Sequence, residues 1–346
     1  MTTDPTIARS APSEASTAAP VSVRTAINRT LDELLGSDPR VVLLGEDIED
    51  PGGGVFGVTR GLSTRYPGRV RDTPISEQAI VGAAIGAALA GMRPVAEIMF
   101  MDFLAVCLDQ LVNHAAKLRY MSGGKTPVPL VVRTAVGGGL GVGAQHSQML
   151  EAWLAHVPGL KVVVPSTPTD ARALLRACVD DEDPCIFVEQ VPNYAYKEPL
   201  EDVEVELGSA VVRRAGTDVS VITYGRQTHD AVAVAAELSA DGIETEVVDL
   251  RSIVPLDIEA VLTSVRKTKR AVVYNEEVVT GGFGAEVSAL ISSGCFGDLE
   301  APVERVGAVA SPLPYAKGLE RLALPGRRSL TDAVHRVLGQ SPPSVN

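Results

Sequence analysis

Short apolar, largely β-branched runs recur along this chain, each followed by a segment with helical spacing, and this rhythm narrows the possible folds more than any other feature. Residues 41–44, 94–98, 128–132, 161–164 and 185–188 are mostly apolar throughout. They therefore read as strands buried on both faces of a sheet. Residues 23–35, 79–92 and 102–120 carry the helical period. Thr167 opens a further helix, with Pro168 at its first position and Asp170 three residues after the cap. Strands alternating with helices predict an α/β fold built on a mainly parallel sheet with helices on both faces. A second series follows, with strands at 219–223, 245–248 and 271–274 and helices at 228–239, 256–265 and 284–291. Residues 190–207 between the two series are rich in Pro, Tyr and Glu, have no period and read as a linker. At roughly 150 residues per domain, 346 residues also suggest two domains. The expected division is a disordered tail over 1–20, a first domain over 21–189, the linker over 190–207 and a smaller second α/β domain over 208–340.

Composition removes several function classes. Asp and Glu number 43 against 31 Lys and Arg, for a net charge of -12. Such a balance argues against nucleic acid and against an anionic membrane as partner, because both need clustered cations. The longest uncharged apolar run, 79–92, is shorter than the roughly 20 residues of a membrane span. The first twenty residues are mainly Thr, Ser, Ala and Pro, without the apolar stretch of a signal peptide. Cys107, Cys178, Cys185 and Cys295 show no C-x-x-C spacing and no zinc-site pattern. They predict a reducing, cytoplasmic setting.

Chemistry has few obvious seats. Gly52, Gly54 and Gly57 match a dinucleotide fingerprint by letter, but they follow Glu46, Asp47, Glu49 and Asp50, which would repel a pyrophosphate. The glycine-rich loop 137–143 is either a plain turn or a place where backbone approaches a ligand. Glu77 stands at the entrance of the apolar helix. It is either a first-turn acid favoured by the helix dipole or a carboxyl group pressed against apolar surface and able to exchange a proton near neutrality. His146, in the polar loop after the glycines, is suited to proton transfer near pH 7.

Several stretches together carry a resemblance. They are GEDIEDPGGGVFGVTRGL (45–62), DTPISEQAIVGAAIGAALAGMRPVAEIMF (72–100), DFLAVCLDQLVNHAAKLRYMSGGK (102–125), AQHSQMLEAWLAHVPGLKVVVPSTPTDARALL (144–175), DPCIFVE (183–189), VVDLRSIVPLD (247–257) and TGGFGAE (280–286). Over about residues 21–338 the chain resembles the beta subunit of the thiamine-diphosphate-dependent component of 2-oxo acid dehydrogenase complexes, of the pyruvate, acetoin and branched-chain types. The resemblance implies a transketolase-like pyrimidine-binding domain followed by a C-terminal transketolase domain. It implies that Glu77 bonds the aminopyrimidine of thiamine diphosphate, that Phe103 stacks on that ring, and that Ile75 and Met99 line it. His146 falls on the family's active-site histidine, a proton donor or orienter during acyl transfer to lipoamide. A potassium site of backbone carbonyls maps to Leu130, Cys178, Val179, Asp181 and Asp183.

One element of the superfamily is missing. No G-D-G occurs here, and the only Asn after Gly297–Asp298 is Asn346. The chain therefore lacks the motif that holds the diphosphate and Mg²⁺, which the resemblance assigns to an alpha subunit in an assembly of two alpha and two beta chains. The resemblance also implies docking on a lipoyl acyltransferase core through its subunit-binding domain, to which the acidic surface would be complementary. The expected function is oxidative decarboxylation of a 2-oxo acid, pyruvate first, with acetoin cleavage or branched-chain substrates as alternatives. A non-catalytic assembly subunit is the alternative from another class. Helix 79–92, uncharged and rich in small residues, suits either a subunit interface or ordinary core.

Overall fold

The computed structural model describes residues 19–341. Helix Val23–Ser37 opens the first unit, with the Ser22 hydroxyl accepting from the Thr25 N–H at 3.1 Å as an N-cap. Its face of Ala26, Ile27, Leu31 and Leu35 is buried, packed on helix Pro168–Asp180. That second helix begins with a reciprocal box between Thr167 and Asp170, the start signal visible in the sequence.

Seven strands form the larger sheet, in the order Ser252–Val254, Lys161–Val163, Cys185–Gln190, Val131–Val136, Arg93–Ile98, Val41–Gly45 and Val70–Asp72. All neighbours are parallel except the first pair. The antiparallel edge strand Ser252–Val254 comes from the second half of the sequence, so the two halves share one sheet. The smaller sheet runs Glu304–Ala308, Ala271–Val278, Val219–Thr223, Thr245–Asp249 and Val211–Arg214, parallel but for the last strand. Stretch 190–207 is not free of structure: its Lys197–Glu198 pairs antiparallel with Val21–Ser22. The tail over 1–18 lies outside the described residues, and no helix among those described is long and apolar enough to cross a membrane.

One predicted helix differs in kind. Residues 102–120 form a 3₁₀ segment, Met101–Cys107, then a π-helical segment, Gln110–Ala115, and only then an α-turn, Ala116–Met121. Leu104, Cys107, Leu111 and Ala115 are still buried. The tightened start and widened middle re-aim side chains that a uniform helix would hold at fixed angles, a device common near functional sites. His114 on this segment is exposed. Helix Glu77–Leu89 buries Ile80, Val81, Ala84, Ile85 and Ala88, while Ala79, Ala83, Gly86 and Leu89 face outward.

Candidate active site

Strand Val41–Gly45 runs straight into Glu46, and the Thr73 N–H donates to the Gly45 carbonyl at 2.9 Å. This tie brings the segment ahead of helix Glu77–Leu89 to the carboxyl end of the strand, where ligands of open α/β sheets bind. Glu46 and Glu77 are 7% and 9% exposed. Burial pushes the Glu46 carboxyl above its ordinary range, and the charges of Glu77 and Asp47 add to the rise. The Cys107 thiol is pushed up to about 12, first by burial and then by Glu77. Glu77 is the first residue of its helix, and among the described residues its buried carboxylate meets no protein donor.

The 3₁₀ segment on which helix Glu77–Leu89 packs carries part of an aromatic cluster. The His146 ring lies edge-to-face on Phe100 (5.0 Å, 81°) and on Phe103 (5.3 Å, 82°). Phe100 in turn contacts Phe56 at 5.7 Å. Phe103 sits in the 3₁₀ segment on which helix Glu77–Leu89 packs, four residues before Cys107, which responds to Glu77. Phe103, Met99 and His146 are half-buried, whereas Ile75 is 84% exposed. An apolar side chain so exposed at the rim suits contact with another molecule.

The His146 loop is fastened at both ends. Asp102 Oδ1 accepts the Gln148 N–H at 3.2 Å and its Nε2–H at 2.8 Å, and the Leu150 N–H points at Met101 Sδ at 3.1 Å. Upstream, the Gly138 N–H donates to Glu276, and the Gly139 and Gly141 N–H groups donate to Glu320 Oε1 at 2.8 and 3.2 Å. The glycine loop is thus neither a plain turn nor a free ligand cradle. Its amides are spent on carboxylates of the second unit. The other glycine loop, Gly52–Gly57, is likewise engaged with itself: Gly53 donates to Glu49 O and Gly54 to Asp47 O.

Beneath the aromatic cluster lies a buried ion network that sequence reading missed. Arg133, 2% exposed, forks onto Glu189 at 2.6 and 2.9 Å and reaches Glu97 at 2.7 Å. The Tyr194 hydroxyl donates to Glu189 at 2.6 Å. Burial is the largest influence on Arg133, but the two facing carboxylates overcome it and hold the guanidinium charged. Glu46, Asp102 and Gln148 were also missed. Only Glu46 had a signal, its position directly after a strand.

The carbonyl positions mapped to potassium already have partners. Arg93 donates to Val179 O at 2.6 Å and Asp181 O at 3.2 Å, and Leu130 O accepts from the Cys185 N–H at 2.8 Å. Any further cation would share these oxygens with a guanidinium. Among the described residues no cluster of His, Cys, Asp and Glu has metal-site geometry.

Comparison with known proteins agrees with this architecture. Residues 19–197 match the model of the transketolase pyrimidine-binding domain, and residues 208–330 that of the transketolase C-terminal domain. The chain is 44% identical to the acetoin:2,6-dichlorophenolindophenol oxidoreductase subunit beta of Cupriavidus necator, over 92% of this chain and 97% of that one. It is 42% identical to the mitochondrial pyruvate dehydrogenase E1 component subunit beta-2 of Oryza sativa subsp. japonica, over 93% and 88%. Identity to the 2-oxoisovalerate dehydrogenase subunit beta of Bacillus subtilis is 44%, over 86% and 92%. A solved structure titled as a split-gene transketolase, inactive beta4 tetramer, shares the fold with TM-score 0.76 at 24% identity, covering 93% of this chain and 99% of that chain. With both domains matched in order and relatives of this identity along nearly its whole length, the chain belongs to the transketolase-like family of 2-oxo acid and acetoin dehydrogenase beta subunits.

Proposed function

We propose that this chain is the beta half of an enzyme that decarboxylates a 2-oxo acid, pyruvate first, and passes the acyl group to lipoamide. The observation that carries the reading is the buried Glu77 carboxylate, which meets no protein donor among the described residues and opens the helix that packs on the segment carrying Phe103. Thiamine diphosphate, when bound, supplies an electron sink for the carbon–carbon bond that breaks. These residues fit its pyrimidine half. Glu77 accepts a ring N–H and can hold or return a proton there. Phe103 offers an aromatic face, Met99 a half-buried apolar wall, and Ile75 closes the exposed rim. His146, held by aromatic edges, donates or orients a proton during acyl transfer.

The chain lacks the G-D-G motif, so Mg²⁺ and the diphosphate are assigned to an alpha partner in an assembly of two alpha and two beta chains. The outward face of Ala79, Ala83, Gly86 and Leu89 suits close approach of a partner chain. Docking on a lipoyl acyltransferase core is part of the proposal, supported by the net charge of -12. Potassium at the carbonyls of Leu130, Cys178, Val179, Asp181 and Asp183 is retained only as a cation sharing oxygens with Arg93. The four free, buried cysteines favour a cytoplasmic location.

Reconstitution with the alpha partner tests the reading. Glu77→Ala is expected to lower decarboxylation by roughly 10²–10⁴-fold, the usual worth of a placed acid–base group. Rates equal to wild type would remove Glu77 from catalysis and favour an assembly role. Acetoin is the second substrate reading, favoured by the 44% identity to an acetoin oxidoreductase subunit. A panel of pyruvate, acetoin and branched-chain 2-oxo acids separates the alternatives.

A further inference from the structure

The short helix Glu151–Ala155 follows the His146 loop directly. Glu151 is 0% exposed, and among the described residues neither of its carboxylate oxygens meets an N–H or O–H donor. Its contact across the boundary between the units is Glu277, 2% exposed, on strand Ala271–Val278. Glu277 is well supplied with donors. Its Oε1 accepts the Ala152 N–H at 2.8 Å, and its Oε2 accepts the Phe283 N–H and the Tyr224 hydroxyl, the latter at 3.4 Å.

No cation of the facing elements neutralises this pair. Arg226 is engaged by Asp230 and Glu276, and Lys161 by Asp181 and Asp183. Glu276 adds a third acidic group on the same strand, and Tyr224 is the one phenol. Helix Phe283–Gly294 turns apolar Phe283 and Val287 inward and leaves Glu286 exposed. Two touching carboxyl groups in such a place cannot both be charged. Glu277, with three donors, is the group built to be the anion. The proton therefore belongs on Glu151, where it satisfies an otherwise unpaired oxygen by donating to Glu277.

We propose that Glu151 and Glu277 share one proton across the two units, and that this clasp positions the His146 loop for acyl transfer. The inference rests on the reading of His146 as the proton donor or orienter. On the C-terminal side of His146 the loop is held at Gln148 by Asp102 and at Ala152 by Glu277, beyond the upstream ties of the glycines to Glu276 and Glu320, so loosening Glu277 slackens the segment that seats His146 on Phe100 and Phe103. Burial, and then the Glu277 charge, push the Glu151 carboxyl well above its ordinary range. A carboxyl raised in the folded state binds its proton more tightly there than when unfolded. Its contribution to stability is therefore greatest below the unfolded value of 4.5 and is lost as pH rises through the folded one. Glu151 and Glu277 are positioning residues, since neither is proposed to touch the substrate.

The test uses the complex reconstituted with the alpha partner. Glu151→Gln retains a donor toward Glu277 but cannot ionise. At pH 7, amide hydrogen exchange over residues 144–152 should be equal in Glu151→Gln and wild type and about fivefold faster in Glu151→Ala, which has no donor for Glu277. The alkaline limb of kcat for lipoamide acylation should move up by about half a pH unit in Glu151→Gln, with KM unchanged. Glu151→Ala should lose acylation that Glu151→Gln keeps. If Glu151→Ala fails to assemble, the comparison of Glu151→Gln with wild type still decides. Exchange in Glu151→Ala superimposable on wild type, or unequal exchange in Glu151→Gln and wild type, with His146→Ala inactive in acylation, would overturn the clasp and leave the reading of His146 standing. Full acylation by His146→Ala would overturn that reading, and the positioning role with it, even if exchange responded as expected.

Discussion

Asp102 grips Gln148 twice, by its backbone N–H at 3.2 Å and its side-chain amide at 2.8 Å, through a single carboxylate oxygen. The bond joins the turn that carries Phe103 to the loop that carries His146. The second oxygen of Asp102 is buried without a partner. Asp102→Ala should release the loop and lower acyl transfer by up to about 10²-fold, because small misplacements of a reacting group cost that much. On the role proposed for His146 in acyl transfer, decarboxylation should fall less. Separate assays of carbon dioxide release and lipoamide acylation in the reconstituted complex check this, and an equal fall in both would count against it.

Arg133 is the counter-charge for two carboxylates, the buried Glu189 and the half-buried Glu97. Arg133→Met would leave both without it. Breaking such a pair by removing one partner costs about 3–5 kcal/mol. A denaturant titration should show that loss, and a midpoint within error of wild type would refute it.

Gly53 has φ +71°, and an added Cβ would stand 2.2 Å from the Arg60 backbone nitrogen. Backbone, not a flexible side-chain end, blocks the space, so no rotamer change relieves it. Gly53→Ala should cost roughly 1–3 kcal/mol through strain in the loop beside Glu97. Gly61 is a control: its φ is +86° but nothing lies within 4 Å of an added Cβ, so Gly61→Ala should cost less. Thermal unfolding of the two variants measures the difference.

Cys107 lies 0% exposed and close to Glu77, with its thiol pushed up to about 12. A raised thiol pKa keeps the group protonated across pH 6–9, so thiolate chemistry is suppressed. Maleimide at pH 8 should leave Cys107 unlabelled in the native chain and label it fully in denaturant. Rapid native labelling, mapped by peptide mass, would show that the Glu77 environment is open to solvent.

Arg93 and any potassium ion must share the carbonyls of Val179 and Asp181. Binding to the folded chain alone would raise stability as RT ln(1 + [L]/Kd), about 2.7 kcal/mol at a hundredfold excess over Kd. With the guanidinium present, replacing potassium by choline at equal ionic strength should change the unfolding temperature little. Arg93→Met should make the chain less stable in choline and restore part of the loss in potassium chloride.

Most of the fold and part of the site were legible along the chain. The strands expected at 219–223, 245–248 and 271–274 are present, the last running on to Val278, and the Thr167 cap lies where cap chemistry places it. Glu77 stood out as an acid at the mouth of an apolar helix, and His146 as a histidine in a glycine-flanked loop. The segment after Met101 was misread, because an apolar stripe looks alike whether the turns are 3₁₀, π or α.

The order of strands and helices was determined by the sequence itself, because period, caps and turns act between residues a few positions apart. So was the absence of G-D-G, which is a property of the string. Tertiary structure alone decided which polar groups meet. Asp102 finds Gln148 across 46 residues, Arg133 finds Glu189 across 56, and Gly139 finds Glu320 across 181. It also set the strand Ser252–Val254 into the sheet of the first half, and Glu277 against Glu151. Such contacts depend on how units dock and on which charges lose water together, and no local pattern records either.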